Sequence, residues 1–241
     1  MGATTPVTFA LDVLAPDHPE AERARQVERE VFLEFFGNTP AMLADEYGPF
    51  EASSLFLLVT DRRRDVPAGA MRVILPSAAG SKSMHDLATA WDAPDPTPVD
   101  ATLLPLDAGR TWDIATLAVS KDYRGGSRGG IVSLALYQAL AMLLQQHRVE
   151  SFVAILDVVV LDLLQTRLGR PFTRFAGVEP QRYLDSPWSL PVYCDVADYM
   201  ARLRFAEPAI YDIVFAAKGL EAAVSFPTWD AELPEVLVAA G

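Results

Sequence analysis

The chain has 241 residues, 51% of them hydrophobic and 22% charged, the balance of a globular protein long enough to bury its own core. A formal net charge of −12 opposes binding to a nucleic-acid duplex, which rests on neutralising phosphates with a basic face. One cysteine, Cys194, excludes an internal disulfide and a cysteine-based zinc cluster. The acid lies toward the two ends, whereas residues 61–182 hold 14 basic and 13 acidic side chains. Within that stretch the arginines gather as Arg62–Arg64, as Arg124 with Arg128, and as Arg167, Arg170, Arg174 and Arg182. A basic strip on an acidic chain suits a small anionic ligand or a small acidic partner, with solvated surface arginine as the plain alternative. The longest apolar run, Val149–Leu164, is broken by Glu150, Asp157 and Asp162, short of a membrane span. Met1–Pro6 lacks the basic and apolar regions of a secretory signal, so the sequence predicts a cytoplasmic protein.

Val7–Leu14 alternates loosely and predicts a strand. His18–Phe36 carries Ala21, Ala24, Val27, Val31 and Phe35 at helical spacing and predicts a helix. Leu55–Thr60 and Ala68–Leu75 predict a hairpin about the charged turn Asp61–Asp65. Residues 76–110, rich in Pro, Ser, Asp and Ala, read as a long loop with one short helix near Met84–Trp91. Thr111–Val119 predicts a strand, Lys121–Gly130 a glycine-rich turn, and Ile131–His147 a helix apolar nearly all round. Ser151–Leu156 reads as a strand buried on both faces, and Asp157–Leu168 as a helix stopped by Gly169 and Pro171. Phe172–Val178 and Leu190–Val196 predict further strands. Val196–Arg204 and Ala209–Leu220 predict the helices of a C-terminal extension over residues 197–241. This order predicts one α/β (α+β) domain over 1–241, a mixed central β-sheet flanked by helices.

The richest chemical signal is the turn Tyr123-Arg124-Gly125-Gly126-Ser127-Arg128-Gly129-Gly130, between a strand and a buried helix. Glycines let the backbone approach a ligand, the first amides of the helix lack partners, and two arginines can bond phosphate oxygens. The pattern is neither a Walker loop nor a dinucleotide fingerprint. Asp113, on the strand between Trp112 and Ile114, is the candidate general base, because burial raises a carboxylate's pKa toward useful values. A surface aspartate, or a salt bridge to Arg72 or Arg110, is the alternative. Asp157 suits a helix N-cap better than a catalytic role. Three scattered histidines offer no metal site, and Cys194 reads as core.

The stretch "LAVSKDYRGG", followed by a helix, a strand and a helix ending "RLGRPF", resembles the acyl-CoA N-acyltransferase (GNAT) superfamily. The stretches "EVFLEF", "DEYGPFEASSLFLLV", "PAGAMRVILPS", "WDIATLAV" and "FAGVEPQRYLDS…VYCDVADYM" resemble its acyl-homoserine-lactone synthase and N-acyl amino acid synthase branch. The resemblance implies a GNAT fold and acyl transfer from a pantetheine thioester, on coenzyme A or an acyl carrier protein, to a small-molecule amine, without a metal. It implies an oxyanion site at main-chain N–H groups of Leu117 and Val119. It implies a donor site along Ala118, Val119, Arg124, Gly125, Gly126, Ser127, Arg128, Gly129 and Gly130. Phe32, Asp45, Arg72 and Trp112 are its substrate-side positions. Departures are Gly48 for a second Asp, Glu28 for an Arg, Asp113 and Thr116 for Glu and Arg, and Gln165 for a tyrosine acid. Gly130 is aligned with the last glycine of the loop, three residues later than usual. These departures favour an acceptor other than S-adenosylmethionine, and leave an autoinducer synthase or a non-catalytic binding domain, as monomer or homodimer, as alternatives.

Overall fold

A computed structural model describes residues 8–91, 93 and 106–227, without the side chains of 126–129. The chain opens with β1 (Phe9–Leu14), α1 (Ala21–Phe36) and α2 (Pro40–Tyr47). It continues through the hairpin β2 (Ser54–Asp61) and β3 (Val66–Ile74), then α3 (Lys82–Thr89). The middle runs β4 (Thr111–Val119), α4 (Gly126–Gln146), β5 (Ser151–Asp157) and α5 (Val158–Arg167). Short strands β6 (Thr173–Arg174) and β7 (Gln181–Tyr183) precede the long β8 (Ser186–Asp195). The described part closes with α6 (Val196–Ala206), α7 (Pro208–Val214) and β9 (Val224–Ser225).

The strands form one mixed sheet in the order β6-β8-β5-β4-β3-β2-β1-β9, with β7 added on β8. Period-two alternation assigns each face its helix. Phe56, Leu58, Ala70 and Ala118 point to α1, where Ala21, Ala24, Val27 and Val31 meet them. Leu55, Leu57, Val59 and Met71 point the other way, onto Val132, Ala135 and Leu136 of α4. Gly69 lets α4 sit close: a Cβ there would lie 2.6 Å from Val132 Cγ1.

Two irregularities in β4 shape everything that follows. Its pairing with β3 slips a residue, Arg72 facing Thr116 and Val73 facing Ile114, so Ala115 is a bulge. The bulge resets the alternation and puts Asp113, Thr116 and Ala118 on the face of α1. The second is a splay. β4 pairs with β5 only through Thr111, Trp112 and Asp113, after which the two strands part. Burial falls with the parting: β5 is buried through Ala154 and half-buried from Ile155.

Several boundaries differ from expectation. α4 begins at Gly126, five residues before the predicted Ile131, so Gly130 lies inside a helix rather than at the end of a turn. α2 has no counterpart in the sequence reading, although Thr39 accepts the Met42 N–H and Pro40 takes the first helical position. The strand expected over Phe172–Val178 is only two residues long, because Gly177 turns the chain at φ +69°. The helix expected over Ala209–Leu220 stops at Val214, ahead of positive φ at Ala217 and Gly219. Residues 94–105 of the expected long loop and 228–241 of the expected extension lie outside the described residues. No helix among the described residues is long and apolar enough to cross a membrane.

Candidate active site

From Ile114 to Val119 the β4 backbone pairs on its β3 side alone, so every second amide faces the gap. The expected oxyanion donors at Leu117 and Val119, and Ala118 between them, lie on this stretch. At its end the chain passes Arg124 and turns through Gly125, at φ +80°, directly into α4. A left-handed conformation of this kind is one that glycine adopts without strain. Gly125, at the N-cap, has no side chain to cap α4, so the amides of 125–128 have no intrahelical acceptor at the mouth of the splay. Since 126–130 is helix, the glycine-rich run adds no loop after Arg124. A Cβ at Gly130 would meet nothing within 4 Å. The guanidinium of Arg124 donates to the Val119 carbonyl (2.7 Å) and to Glu34 (2.7 Å) and lies over the Phe35 ring at 4.4 Å. It closes the turn from behind. The side chains of Ser127 and Arg128 lie outside the described residues.

Asp113 is 1% exposed, and the surface aspartate and the salt bridge considered from sequence are both absent. Its carboxylate accepts Ser81 Oγ (2.7 Å), Ser83 Oγ (2.7 Å) and the Ser83 backbone N–H (2.6 Å). Burial pushes this carboxyl up from the usual carboxylate range, and the three hydrogen bonds offset that only in part. Ser81 is also the N-cap of α3, accepting the Met84 N–H, so Asp113 is a second cap supplied by the sheet. Next to it Lys82, 4% exposed, pairs with Asp86 and Glu46 and donates to the Tyr183 hydroxyl. The helix within the expected loop is thereby bolted to the sheet, to α2 and to β7.

Across the face from Asp113, Arg72 organises the second cluster. It gives a two-pronged bond to Glu28 (3.0 and 2.7 Å) and reaches Glu51 (2.6 Å) and Ser54 Oγ (3.3 Å). Thr116 Oγ1 donates to the same Glu28 at 2.6 Å. Arg25 holds Glu51 from the other side, and the Arg72 guanidinium lies over the rings of Phe56 (4.6 Å) and Tyr47 (4.8 Å). Burial would push the Glu51 carboxyl up, but Arg72 and Arg25 outweigh it and hold the group below the usual range. Of these, Arg25, Glu28, Tyr47, Glu51 and Arg72 wall a cleft of about 400 Å³ between α1, α2 and β3.

The expected substrate-side residues scatter around it. Arg72 is at the centre; Phe32, half-buried, packs against the α1-side core. Asp45 is exposed on α2, and Glu28 and Glu51 take the carboxylate places in the cleft. Trp112 is on the opposite face, against α4, its ring 5.7 Å from His147. Gln165 uses both ends of its amide on the Phe172 backbone, donating to its carbonyl (2.7 Å) and accepting its N–H (3.2 Å). Asp157 caps α5, as expected. Glu51 escaped the sequence reading because its partners lie 21 and 26 residues away; Ser81 and Ser83 escaped because only the folded loop brings them to Asp113.

No protein-family model matches the chain, and no curated protein matches it in sequence. Solved structures do. A CoA-dependent acyl-homoserine lactone synthase, BjaI, solved with SAM and isopentyl-CoA, aligns over 98% of this chain and 99% of its own at 15% identity and a TM-score of 0.59. FeeM, an N-acyl amino acid synthase from uncultured soil microbes, covers 80% and 93% at 12% identity, TM-score 0.55. The acyl-homoserine lactone synthase LasI covers 79% and 91% at 12% identity, TM-score 0.53. The chain has the GNAT-like fold these proteins share.

Proposed function

We propose that this chain forms one GNAT-like domain that transfers an acyl group from a pantetheine thioester to the amine of a small molecule. The observation that carries the reading is the splay of β4 from β5 with the uncapped, glycine-rich start of α4 at its mouth. The free strand edge fits the amides of a pantetheine arm, and the unmet helix amides fit its phosphate. When bound, the donor supplies an acyl carbon activated as a thioester. Main-chain N–H groups among Leu117–Val119 hold the carbonyl oxygen as negative charge grows on it. The cleft at Arg72 admits the amine, and Glu51, kept ionised, draws in its ammonium form. The ammonium gives one proton to water. Its nitrogen then forms the C–N bond as the C–S bond breaks, and the remaining ammonium-type proton leaves to the thiolate or to solvent.

Whether the thioester sits on free CoA or on a carrier is a question for α5 and its neighbours. Arg167, Arg170 and Arg174 are exposed and carry no ion pair among the described residues, whereas Arg182 pairs with Asp185 at 2.8 Å. Val159 and Leu163 stand exposed on the same helix. An acidic carrier helix would complement this surface, and the rest of an acidic chain would repel it. With matched acyl groups at low salt, the carrier-bound donor should react about tenfold faster or more, as steered encounters do. The advantage should fade near about 0.5 M salt, where charges beyond a few Å are screened. Equal rates without a salt effect would assign the donor to free CoA. Thiol release from neither donor would favour the non-catalytic reading, which the clamped Gln165 supports.

A further inference from the structure

We infer that Tyr47 is an acceptor-binding residue: its hydroxyl takes a hydrogen bond from the amine nitrogen once that nitrogen is neutral, and so aims the lone pair for attack. The inference rests on the acyltransferase reading and concerns the one hydroxyl among the residues that line the cleft. Tyr47 ends α2 and is 4% exposed. Its ring is held by two cations, the Arg72 guanidinium at 4.8 Å and the Lys82 ammonium at 5.3 Å. Both cations are themselves tied down, Arg72 by Glu28, Glu51 and Ser54, and Lys82 by Glu46 (3.0 Å) and Asp86 (2.5 Å). The ring therefore stands fixed in the wall before any ligand arrives, as a positioning group must.

The hydroxyl is the unspent end of this residue. Its neighbours are committed: Ser53 and Ser54 donate to the Phe50 carbonyl (3.1 and 3.0 Å), and Thr116 donates to Glu28 (2.6 Å). Tyr47 Oη has no partner among the described residues, and it is not one of the unpartnered polar atoms sealed from solvent, so it meets the space of the cleft. Burial, helped by the Glu28 charge, pushes the phenol up, so the hydroxyl keeps its proton and acts as a neutral group. A carboxylate such as Glu51 draws in an ammonium ion but also stabilises its protonated form. A neutral oxygen accepts an N–H from the free amine, favours the ammonium far less, and leaves the nitrogen lone pair unused. The cleft also adjoins the reacting centre: Thr116, bonded to Glu28 in its wall, stands next to Leu117 on β4.

The test measures kcat and KM for octanoyl-CoA with isoamylamine and with phenethylamine, reading free thiol and the N-acyl product by mass. Tyr47→Phe keeps the ring and both cation contacts and deletes only the oxygen, so its melting temperature should match wild type. Its kcat should fall about tenfold to a hundredfold at nearly constant KM, the pattern of a contact made with the attacking form alone. Glu51→Gln should give the opposite split, raising KM more than it lowers kcat. A Tyr47→Phe variant with wild-type kinetics, with a change in KM alone, or with kcat reduced only in proportion to lost folded protein would overturn the inference and leave acyl transfer standing. Wild type that releases thiol with neither amine overturns it too. It takes the acyltransferase reading with it only if CoA also fails to bind in calorimetry.

Discussion

Arg72→Met should cost about 3–5 kcal/mol of folding stability, the usual consequence of removing one partner from a buried ion pair. Arg72 is 4% exposed, and it gives Glu28, 3% exposed, its only charged partner among the described residues; what remains there is the Thr116 hydroxyl. Burial alone would weaken the guanidinium's hold on its proton, but Glu28 and Glu51 more than offset it, so Arg72 stays charged. The variant therefore leaves a carboxylate in the core that must either remain charged and unpaired or take up a proton. At about 2–4 °C per kcal/mol for a chain of this size, the melting temperature should fall by roughly 10 °C. Glu28→Leu combined with Arg72→Met removes both charges and should recover most of the loss, because well-packed apolar pairs often replace buried ion pairs without penalty. Thermal melts of the two variants decide the matter; a single variant no worse than the double would mean that Glu28 does not depend on Arg72.

Asp113 separates two roles that the sequence alone leaves open. A general base should lose about 10²–10⁴ in turnover on Asp113→Asn, with melting unchanged. A tether should behave otherwise. Asparagine keeps the shape and an oxygen for the Ser81 hydroxyl and the Ser83 N–H, and the Ser83 hydroxyl can rotate to accept its NH₂ group, so turnover should stay within about tenfold of wild type. Asp113→Ala leaves three donors of α3 unmet in a closed pocket and should lose several kcal/mol, at about 1–3 kcal/mol per stranded donor. Rates and melts on both variants give the answer. The geometry points to the tether, since a carboxylate that accepts three bonds at 1% exposure offers no face to an amine.

Much of the architecture can be read from spacing. The apolar runs of β2, β3, β4 and β5 and the helical period of α1 are strong local signals, and they fall where the structure has them. The bulge at Ala115 is subtler. In WDIATLAV the polar residues Asp113 and Thr116 stand three apart, and on a regular strand they would face opposite sides; the slip puts both on the face of α1, where Asp113 meets Ser81 and Ser83 and Thr116 meets Glu28. Glu28 reads from sequence as a departure, a carboxylate in the place of an arginine. Its meaning lies 44 residues away in Arg72, and pairings of that range leave no local trace. The same holds for Ser81 and Ser83, 32 and 30 residues from Asp113. The early start of α4 was hidden by its own glycines, which read as turn although their backbone is helical.

The claim that the splay holds a pantetheine donor is tested most directly by amide hydrogen exchange with and without CoA. Bound CoA should slow exchange at residues 114–119, whose free amides would pair with the arm, and at residues 125–128, whose amides would meet its phosphate. The β1–β2 pairing, remote from the gap, should be unchanged. Gly125→Val serves as the control: a β-branched residue cannot easily hold φ +80°, so protection should vanish at both segments while the protein still melts cooperatively. Protection confined to the cavity of about 730 Å³ at the far end of α4, near Leu144, Arg148 and Met200, would contradict the account, as would no protection at all.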